Sequence, residues 1–327
     1  MGALADRRTE TAARIGKLQN ELQPAEARSK GKACVYATGS FGRREASSHS
    51  DLDVFIVSKV DDKGNRLLKR LDEICIKADL IEITRKLGIP DFSGDGRYLE
   101  HYTVHDLTTT LGTPEDDVTN TFTARLLLLF ESCPLLETGV YHETTEEVIT
   151  AYWGDYEGHK NEFMPAFLAN DILRLWRTFC VNYEARTARE PAEAMAKRKL
   201  KNYKLKHSRM LTCYSALLYL LAVFREQRTV GLTDAVSMIR TTPTERLEWL
   251  LQQTTMTHAH DRTRKLLEQY EHFLQATNAE ERELVSRFLD KNTGREYMRA
   301  ANEFGDLVFE LLTSIGEGER FYRLLVV

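Results

Sequence analysis

The spacing of apolar residues in the first part of the chain predicts a helix, two strands and a second helix. Residues 8–28 are rich in Ala, Glu, Arg and Leu, and a glycine ends this predicted helix. Two β-prone runs follow, at residues 32–38 (KACVYAT) and 51–58 (DLDVFIVS). Residues 67–81 carry apolar side chains at helical spacing, whereas residues 90–120 are polar and turn-rich, so we expect little regular structure there. The predicted apolar face of the second helix consists of Leu67, Leu71, Ile74, Cys75, Ala78 and Ile81.

From Phe122 onward the pattern predicts almost only helices. Residues 122–132 (FTARLLLLFES) are strongly apolar, and residues 207–224 are apolar nearly all round, as in the central helix of a bundle. A further stripe at helical spacing consists of Leu168, Ile172, Leu175, Trp176, Phe179 and Tyr183. The pattern therefore predicts an α+β chain, a small α/β unit followed by a helical bundle. We expect the boundary between residues 110 and 160, and we assign the two domains to residues 1–120 and 121–327.

Composition and charge restrict the kind of protein. The chain has 327 residues, of which 42% are hydrophobic and 29% charged, so a disordered or fibrous protein is excluded. The 45 basic and 49 acidic residues argue against a surface that coats nucleic acid as a whole, although one basic groove is compatible with them. No segment is long and apolar enough to span a membrane, and no hydrophobic leader precedes the first charges, so we expect a cytoplasmic protein without membrane contact.

The five cysteines are scattered and form no CxxC pair. In a cytoplasmic chain such a set indicates reduced thiols, most of them buried. Neither a disulfide framework nor a zinc cluster is therefore predicted.

The segment from Gly39 to Val57, GSFGRREASSHSDLDVFIV, carries the predicted chemistry. Gly39 and Ser40 follow the first strand, where glycine permits close backbone approach and the N–H groups of a helix start can bind phosphate. Arg43 and Arg44 come directly after and can add positive charge, or can be surface residues.

Asp51 and Asp53 lie two residues apart at the start of the second strand, directly after Ser50. Side chains at i and i+2 of a strand point to one face, with Leu52 on the other. Two such carboxylates repel each other unless a cation joins them, and Mg²⁺ prefers a few carboxylates together with waters and substrate phosphates. A phosphate-binding turn beside this pair predicts a nucleoside-triphosphate site with magnesium, in which two metals about 4 Å apart would act on the attacking and leaving oxygens.

This segment resembles the signature of the DNA polymerase beta-like nucleotidyltransferase superfamily, Gly-Ser followed by a short helix and by D-x-D on a strand. The Gly-Arg-x-Glu and Ser-Asp-Leu-Asp details, with Asn120-x-Phe-Thr-Ala-Arg125 farther on, are most similar to bacterial nucleotidyltransferases related to the protein-PII uridylyltransferases. The strong resemblance covers about residues 33–58. It implies an N-terminal palm with a mixed sheet, and a C-terminal helical domain that binds nucleotide or substrate, with the active site in the cleft between them.

The resemblance also implies roles for individual residues. Gly39 and Ser40 would hold the β- and γ-phosphates, and Asp51 and Asp53 would bind two Mg²⁺ ions, with Mn²⁺ as an alternative. A third acidic residue would act as base for the acceptor; Asp95 is the first choice, and Asp91 and Glu82 are alternatives. Four further residues are assigned to the nucleotide site: Arg43, Arg44, Ser50 and Arg125. Arg125 interrupts an apolar helix, so it requires either an internal carboxylate or a ligand phosphate as partner.

Two other polar segments carry weaker signals. Residues 197–210 hold seven Lys or Arg, which indicates either a solvated helical face or a surface that contacts triphosphate or RNA. His260-Asp261 is shared with some metal phosphohydrolases, but the further ligands are missing from its surroundings and we reject a hydrolase domain. The chain has no HExxH, GxSxG or GxxxxGK[ST] motif.

The sequence therefore predicts a metal-dependent nucleotidyltransferase that moves a nucleoside monophosphate from an NTP, such as ATP, to an acceptor hydroxyl and releases pyrophosphate. The acceptor would be a macromolecule, protein or RNA, and no stable binding of DNA is expected. One alternative is a synthase of cyclic or linear oligonucleotide second messengers. The other is a catalytically silent nucleotide sensor or RNA-binding regulator.

Overall fold

The computed structural model describes residues 2–92, 96, 99–184 and 191–326. Contacts within the chain divide it into two compact units, Met1–Tyr152 and Trp153–Val327. This division falls within the expected range but after the assigned boundary at residue 120, because a fourth strand and two helices beyond that residue belong to the N-terminal unit.

The N-terminal unit is built on a sheet of four strands in the order β3-β2-β1-β4. The strands are β1 (Ala33–Thr38), β2 (Asp53–Ser58), β3 (His101–Thr103) and β4 (Cys133–Leu136). β1 is antiparallel to β2 and to β4, whereas β2 is parallel to β3. The sheet is therefore mixed, which confirms the predicted α+β class. The helices of this unit are α1 (Ala3–Ser29), α2 (Gly39–Gly42), α3 (Arg70–Lys86), α4 (Val104–Thr109), α5 (Glu115–Val118), α6 (Thr121–Phe130) and α7 (Thr138–Thr150).

The two faces of the sheet are buried differently. On one face, Val35, Val54 and Ile56 belong to a hydrophobic core to which α1 and α3 contribute, among others, Leu22 and Leu80. The other face carries aromatic rings: Tyr36 stacks on Phe55 at 5.7 Å, and Tyr102 and Tyr141 lie 6.2 and 6.0 Å from members of this pair. Because side chains alternate along a strand, this second face also carries Asp53.

Helix α3 forms where predicted, but the predicted apolar face is wrong. Leu71 and Ile74 are exposed, whereas Glu73 is buried together with Ile76 and Leu80. The Glu73 carboxylate lies 3.0 Å from Nδ1 of the buried His101 and 2.7 Å from Nζ of Lys77. Burial by itself would raise the pKa of Glu73, but these partners lower it to about 2. A paired carboxylate thus takes a core position that periodicity assigns to apolar residues.

Two further expectations about the N-terminal unit are corrected. The polar segment 90–120 contains β3, α4 and α5, whose short lengths and hydrogen-bonded caps leave little apolar periodicity. The segment after Phe122 contains β4, which continues the apolar run of α6 after a break at Glu131. Periodicity alone does not distinguish a short apolar strand from a buried helical turn.

All regular structure described in the C-terminal unit is helical, as predicted. Its helices are α8 (Ala166–Glu184), α9 (Ala192–Lys204), α10 (Met210–Gln227), α11 (Leu232–Ile239), α12 (Pro243–Gln252), α13 (His260–Ala276), α14 (Glu281–Leu289), α15 (Lys291–Gly316) and α16 (Arg320–Val326). The most buried helix is α10, which packs against α8, α11, α12, α15 and α16. Within the described part of the chain, no helix combines the length and apolar composition needed to cross a membrane.

A π-helical turn, Leu205–Arg209, joins α9 to α10 and buries His207. The imidazole stacks on Phe273 at 4.5 Å, and its Nδ1 lies 2.9 Å from the carbonyl oxygen of Tyr203. Burial lowers the pKa of His207 to about 4, since the single carbonyl contact offsets only part of the lost hydration.

We expect His207 to make the folding stability depend on pH. Its pKa is lower in the folded than in the unfolded chain, so its contribution is complete above about pH 6.5 and is lost as the pH falls towards 4. A difference of this size corresponds to about 3 kcal/mol. Urea unfolding of the wild type and of His207→Phe across this range should show a stability difference that shifts in favour of the variant as pH falls. A constant difference would contradict a neutral, buried His207.

Candidate active site

The antiparallel pairing of β1 with β2 brings the Gly-Ser turn to the D-x-D segment. Thr38, the last residue of β1, lies opposite Asp53, the first residue of β2. Gly39 then begins α2 with φ of 65°, and a Cβ placed on it would lie 3.3 Å from Oδ2 of Asp53. Glycine is therefore required here both by the backbone conformation and by the nearby carboxylate. Ser40 follows in the first turn of α2, and the first N–H groups of a helix point beyond its N-terminal end and have no partner within the helix.

Asp51 and Asp53 lie at the same end of the sheet. Asp51 is exposed, Asp53 is half-buried, and Leu52 between them is buried in the core. Exposure therefore alternates along residues 51–53, and the shared face of the two carboxylates stays a prediction.

Helix α2 is held in place by close backbone packing. A Cβ on Gly42 would lie 1.9 Å from the carbonyl oxygen of Glu131 and 2.9 Å from the Cα of Ser132. The second glycine of the motif is thus a packing glycine, needed because α2 lies directly against the chain that enters β4. Gly42 is visible in the sequence motif, but the reason for a glycine there is the contact with residues about ninety positions farther along the chain.

The two neighbouring arginines have different surroundings. Arg43 is buried, with Nε 2.9 Å from Glu45 Oε2 and Nη1 2.8 Å from Glu131 Oε2, both buried carboxylates. Arg44 has φ of 59°, and this uncommon left-handed conformation accompanies an exposed side chain. The sequence assigns both arginines to phosphate. In the structure Arg43 forms internal ion pairs, whereas the exposed side chain of Arg44 is accessible to a ligand.

Ser50 organises the loop before β2. Its Oγ accepts the N–H of Ser47 at 2.9 Å, which closes the turn at residues 47–50. Arg14 of α1 donates to the carbonyl oxygen of Ser47 and lies 4.6 Å above the ring of Phe41. Ser50 therefore shapes the loop that leads to Asp51, and its hydroxyl is engaged within that loop.

The partner of Arg125 is an internal carboxylate, which is one of the two partners predicted from the sequence; the other is a ligand phosphate. The side chain is fully buried, with Nη2 2.5 Å from Oδ2 of Asp116 and Nε 2.9 Å from the hydroxyl of Tyr152. Burial acts to lower the pKa of Arg125, but Asp116 and Tyr152 raise it above the ordinary value. This pair joins α5 to α6, and the assignment of Arg125 to the nucleotide is corrected accordingly.

The three acids proposed for the third catalytic position differ in what the structure says of them. Asp95 lies outside the described residues. Asp91 is exposed and lies 3.0 Å from Nε of Arg85. Glu82 is exposed on α3, a helix that packs on the face of the sheet opposite Asp53.

A fourth acid, Glu100, lies on the face that carries Asp53. The N–H of Ile56 donates to the Glu100 carbonyl at 3.1 Å, so Glu100 directly precedes β3 beside β2. The next residue, His101, faces Glu73 of α3, whereas the ring of Tyr102 meets Phe55. Alternation therefore directs Glu100 to the Phe55 side. Burial raises the pKa of Tyr102 to about 12, and the charge of Glu100 adds to the increase.

Glu100 is not among the acids predicted from the sequence, because residues 90–120 lack the periodicity that would predict a strand. Once β3 is known, its parallel register with β2 identifies the acid on the relevant face.

The weaker polar signals lie in the C-terminal unit. His260 Nε2 lies 3.1 Å from the carbonyl oxygen of Gln253, and Asp261 pairs with Arg264 at 2.8 Å, so both are engaged locally at the start of α13. The basic run 197–210 forms α9 and the π-helical turn, and its cations face in different directions.

The acidic residues fit Mg²⁺ by their chemistry and position. Asp51 and Asp53 are oxygen donors beside the glycine cradle of α2, and Mg²⁺ in proteins is usually bound by one or two carboxylates together with substrate phosphates. Among the described residues, no three or more His, Cys, Asp or Glu side chains come together as a complete metal cage.

Comparison with protein families finds a match to the nucleotidyltransferase domain at residues 22–89. The matched segment contains β1, α2, β2 and α3, and with them the Gly-Ser turn and both aspartates. No curated protein matches the chain. The chain therefore carries a nucleotidyltransferase domain, which confirms the predicted kind of enzyme. The finer resemblance to protein-PII uridylyltransferase relatives stays a prediction.

We expect Gly42→Ala to displace α2 and destabilise the N-terminal unit by about 1–3 kcal/mol, because the new methyl group would overlap backbone atoms that cannot move independently. The matched control is Gly16→Ala in α1, where no atom lies within 4 Å of the added Cβ. That variant should be more stable by about 0.5–1 kcal/mol. Chemical denaturation of both variants tests the pair, and equal stabilities would contradict the close packing of α2.

Proposed function

We propose that this nucleotidyltransferase moves a nucleoside monophosphate from an NTP to the hydroxyl of a macromolecular acceptor, protein or RNA. The observation that carries the proposal is the 3.3 Å between a Cβ on Gly39 and the Asp53 carboxylate. This distance supports the proposal because the Gly-Ser turn adjoins the Asp53 carboxylate, so that a single NTP could reach both.

The chain's own groups divide the work between them. The N–H groups of α2 and the Ser40 hydroxyl bind the terminal phosphates, and the exposed Arg44 adds positive charge nearby. Asp51 and Asp53 would hold Mg²⁺, which would neutralise charge on the triphosphate and lower the pKa of the acceptor hydroxyl. Tyr36 and Phe55 stack on the face of the sheet that carries Asp53, and the pairing of Thr38 with Asp53 positions the Asp53 backbone.

The bond changes follow from the products. The acceptor oxygen forms a bond to the α-phosphorus, and the bond from that phosphorus to the bridging oxygen of the β-phosphate breaks. Pyrophosphate leaves with that electron pair, and the hydroxyl proton passes to a base. We assign the base to Glu100 because it lies on the Asp53 face, with Asp95 as the alternative.

We expect the double variant Asp51→Asn, Asp53→Asn to lose transfer while its thermal stability stays unchanged or increases, since removing two adjacent negative charges relieves repulsion. The assay incubates each α-labelled NTP with Mg²⁺ and the full chain, with and without cell extract, and follows label on protein, RNA and small products. Asp62→Asn removes an exposed carboxylate from the same unit and is the matched control.

Full transfer by the double variant would overturn the metal assignment. Labelled products formed from NTP alone would favour a second-messenger synthase over a transferase that acts on a macromolecule. Binding of NTP without any product would favour the nucleotide sensor.

We expect Glu100→Gln to lower kcat at least about tenfold, in line with the usual contribution of a general base, while KM for NTP changes little. The isosteric control is Glu82→Gln on the opposite side of the sheet, which should retain kcat. An unchanged kcat in Glu100→Gln would assign the base elsewhere, with Asp95 as the next variant.

A further inference from the structure

A basic groove in the C-terminal unit lies between α9, the end of α14 and α15. It has a volume of about 570 Å³. Four exposed cations line it: Lys199, Lys291, Arg295 and Arg299. The one acidic residue among its lining residues is Asp290, whose Oδ1 accepts the N–H of Thr293 and caps α15.

The groove cations differ from other cations on the same helices. Lys197 lies 2.5 Å from Glu281, and Arg287 lies 2.6 Å from Glu283. Within the described part of the chain, none of the four groove cations forms an ion pair with an acidic side chain. Concentrating unneutralised charge in one groove is unfavourable for the folded chain by itself, and an anionic ligand would remove this repulsion.

The spacing of the cations indicates an extended ligand. Lys291, Arg295 and Arg299 follow at four-residue intervals on one side of α15, so successive Cα atoms are about 6 Å apart along the axis. Asn302 continues the row, and Lys206 fixes its amide through a hydrogen bond of 2.9 Å to Oδ1. Asp306 comes next on this side and ends the basic row. A row of evenly spaced cations matches the regularly repeated charges of a phosphodiester backbone better than one compact anion.

Two large apolar side chains, Phe288 and Met298, are also among the lining residues, and Phe288 is buried and stacks on Tyr297 with ring centroids 5.0 Å apart. This packing holds the helices that carry the cations. A positively charged groove that follows the backbone is one element of sites for single-stranded nucleic acid. The guanidinium groups of Arg295 and Arg299 also match phosphate oxygens geometrically, which a lysine pair would not. The limited volume suits a few nucleotides of one strand.

We propose that this groove binds a single strand of nucleic acid, with its phosphates on the cations of α15 and Lys199. The proposal concerns binding and does not depend on transfer by the N-terminal unit. The shared chemistry is the phosphodiester backbone, which either RNA or DNA would supply.

The test measures fluorescence anisotropy of labelled oligouridine and oligodeoxyuridine of about ten nucleotides with the full chain. The groove variant is Lys199→Gln, Arg295→Gln, Arg299→Gln. The matched control is Arg262→Gln, Arg264→Gln, Lys265→Gln on α13, which removes the same number of Arg and Lys charges at exposed positions. Thermal melting establishes that both variants fold.

We expect the groove variant to bind either strand at least about tenfold more weakly at 50 mM salt, with a log–log salt slope shallower by about 2, since each phosphate contact to a single strand contributes about 0.7. The control should bind within about twofold of the wild type. Preference for the uridine strand would identify a contact to the 2′-hydroxyl, and equal binding would identify the backbone alone; both support the groove.

Equal losses in the two variants would overturn the proposal, as would tighter binding of polyglutamate than of either strand, or complete competition by free NTP at equal phosphate concentration. The Asp51→Asn, Asp53→Asn chain separates this proposal from the proposed function, because it should still bind the strand. Strand binding by the wild type without any transfer would refute only the proposed function. Transfer without strand binding would refute only the groove.

Discussion

The register between β1 and β2 is the constraint on which the candidate active site depends. Thr38 opposite Asp53 places Gly39 beside the carboxylate, although fourteen positions separate these two residues in the chain. A slip of one residue would turn Asp53 to the face packed by α1 and α3, where Leu52 and Val54 now lie. The hydrophobic core therefore fixes which residue lies beside the Gly39 turn, because only one register buries the apolar set.

Buried ion pairs hold the connecting segment against this sheet. Arg43 joins the loop after α2 to Glu131, and Arg125 joins α6 to Asp116. Each charge loses hydration on burial, so such pairs add little net stability compared with apolar packing. Removing one partner, however, leaves the other charged and buried, at a cost of about 3–5 kcal/mol. They therefore act mainly by fixing geometry. Glu131 lies outside the segment that matches the nucleotidyltransferase domain, so residues beyond that segment also determine the position of α2.

The sequence was most informative where chemistry and local geometry coincide. Gly39 and Asp53 could be identified because a strand, a turn and a second strand each have local signals, and the position of the two aspartates at the strand end follows from alternation. Glu73 of α3 could not be assigned to the core, because its burial depends on its pairing with His101 of β3, which is distant in the sequence. The roles of Arg43 and Arg125 could not be decided, because a buried arginine is recognised only by its partners. The short strands β3 and β4 lack the length that gives periodicity its meaning.

In the C-terminal unit, too, the role of charged residues could not be predicted from the sequence. The run at residues 197–210 is conspicuous in sequence, yet its cations diverge: Lys197 pairs with Glu281 on α14, whereas Lys199 lines the groove. The other groove cations come from α15, where Arg295 precedes an acidic residue and no basic run is visible. Consecutive residues of a helix are about 100° apart around its axis, whereas residues four apart lie on the same side. One side of a helix can therefore be strongly basic although the sequence alternates in sign. A small net negative charge for the whole chain is therefore compatible with one cationic groove, since binding responds to the local arrangement of charges within a Debye length of about 8–10 Å.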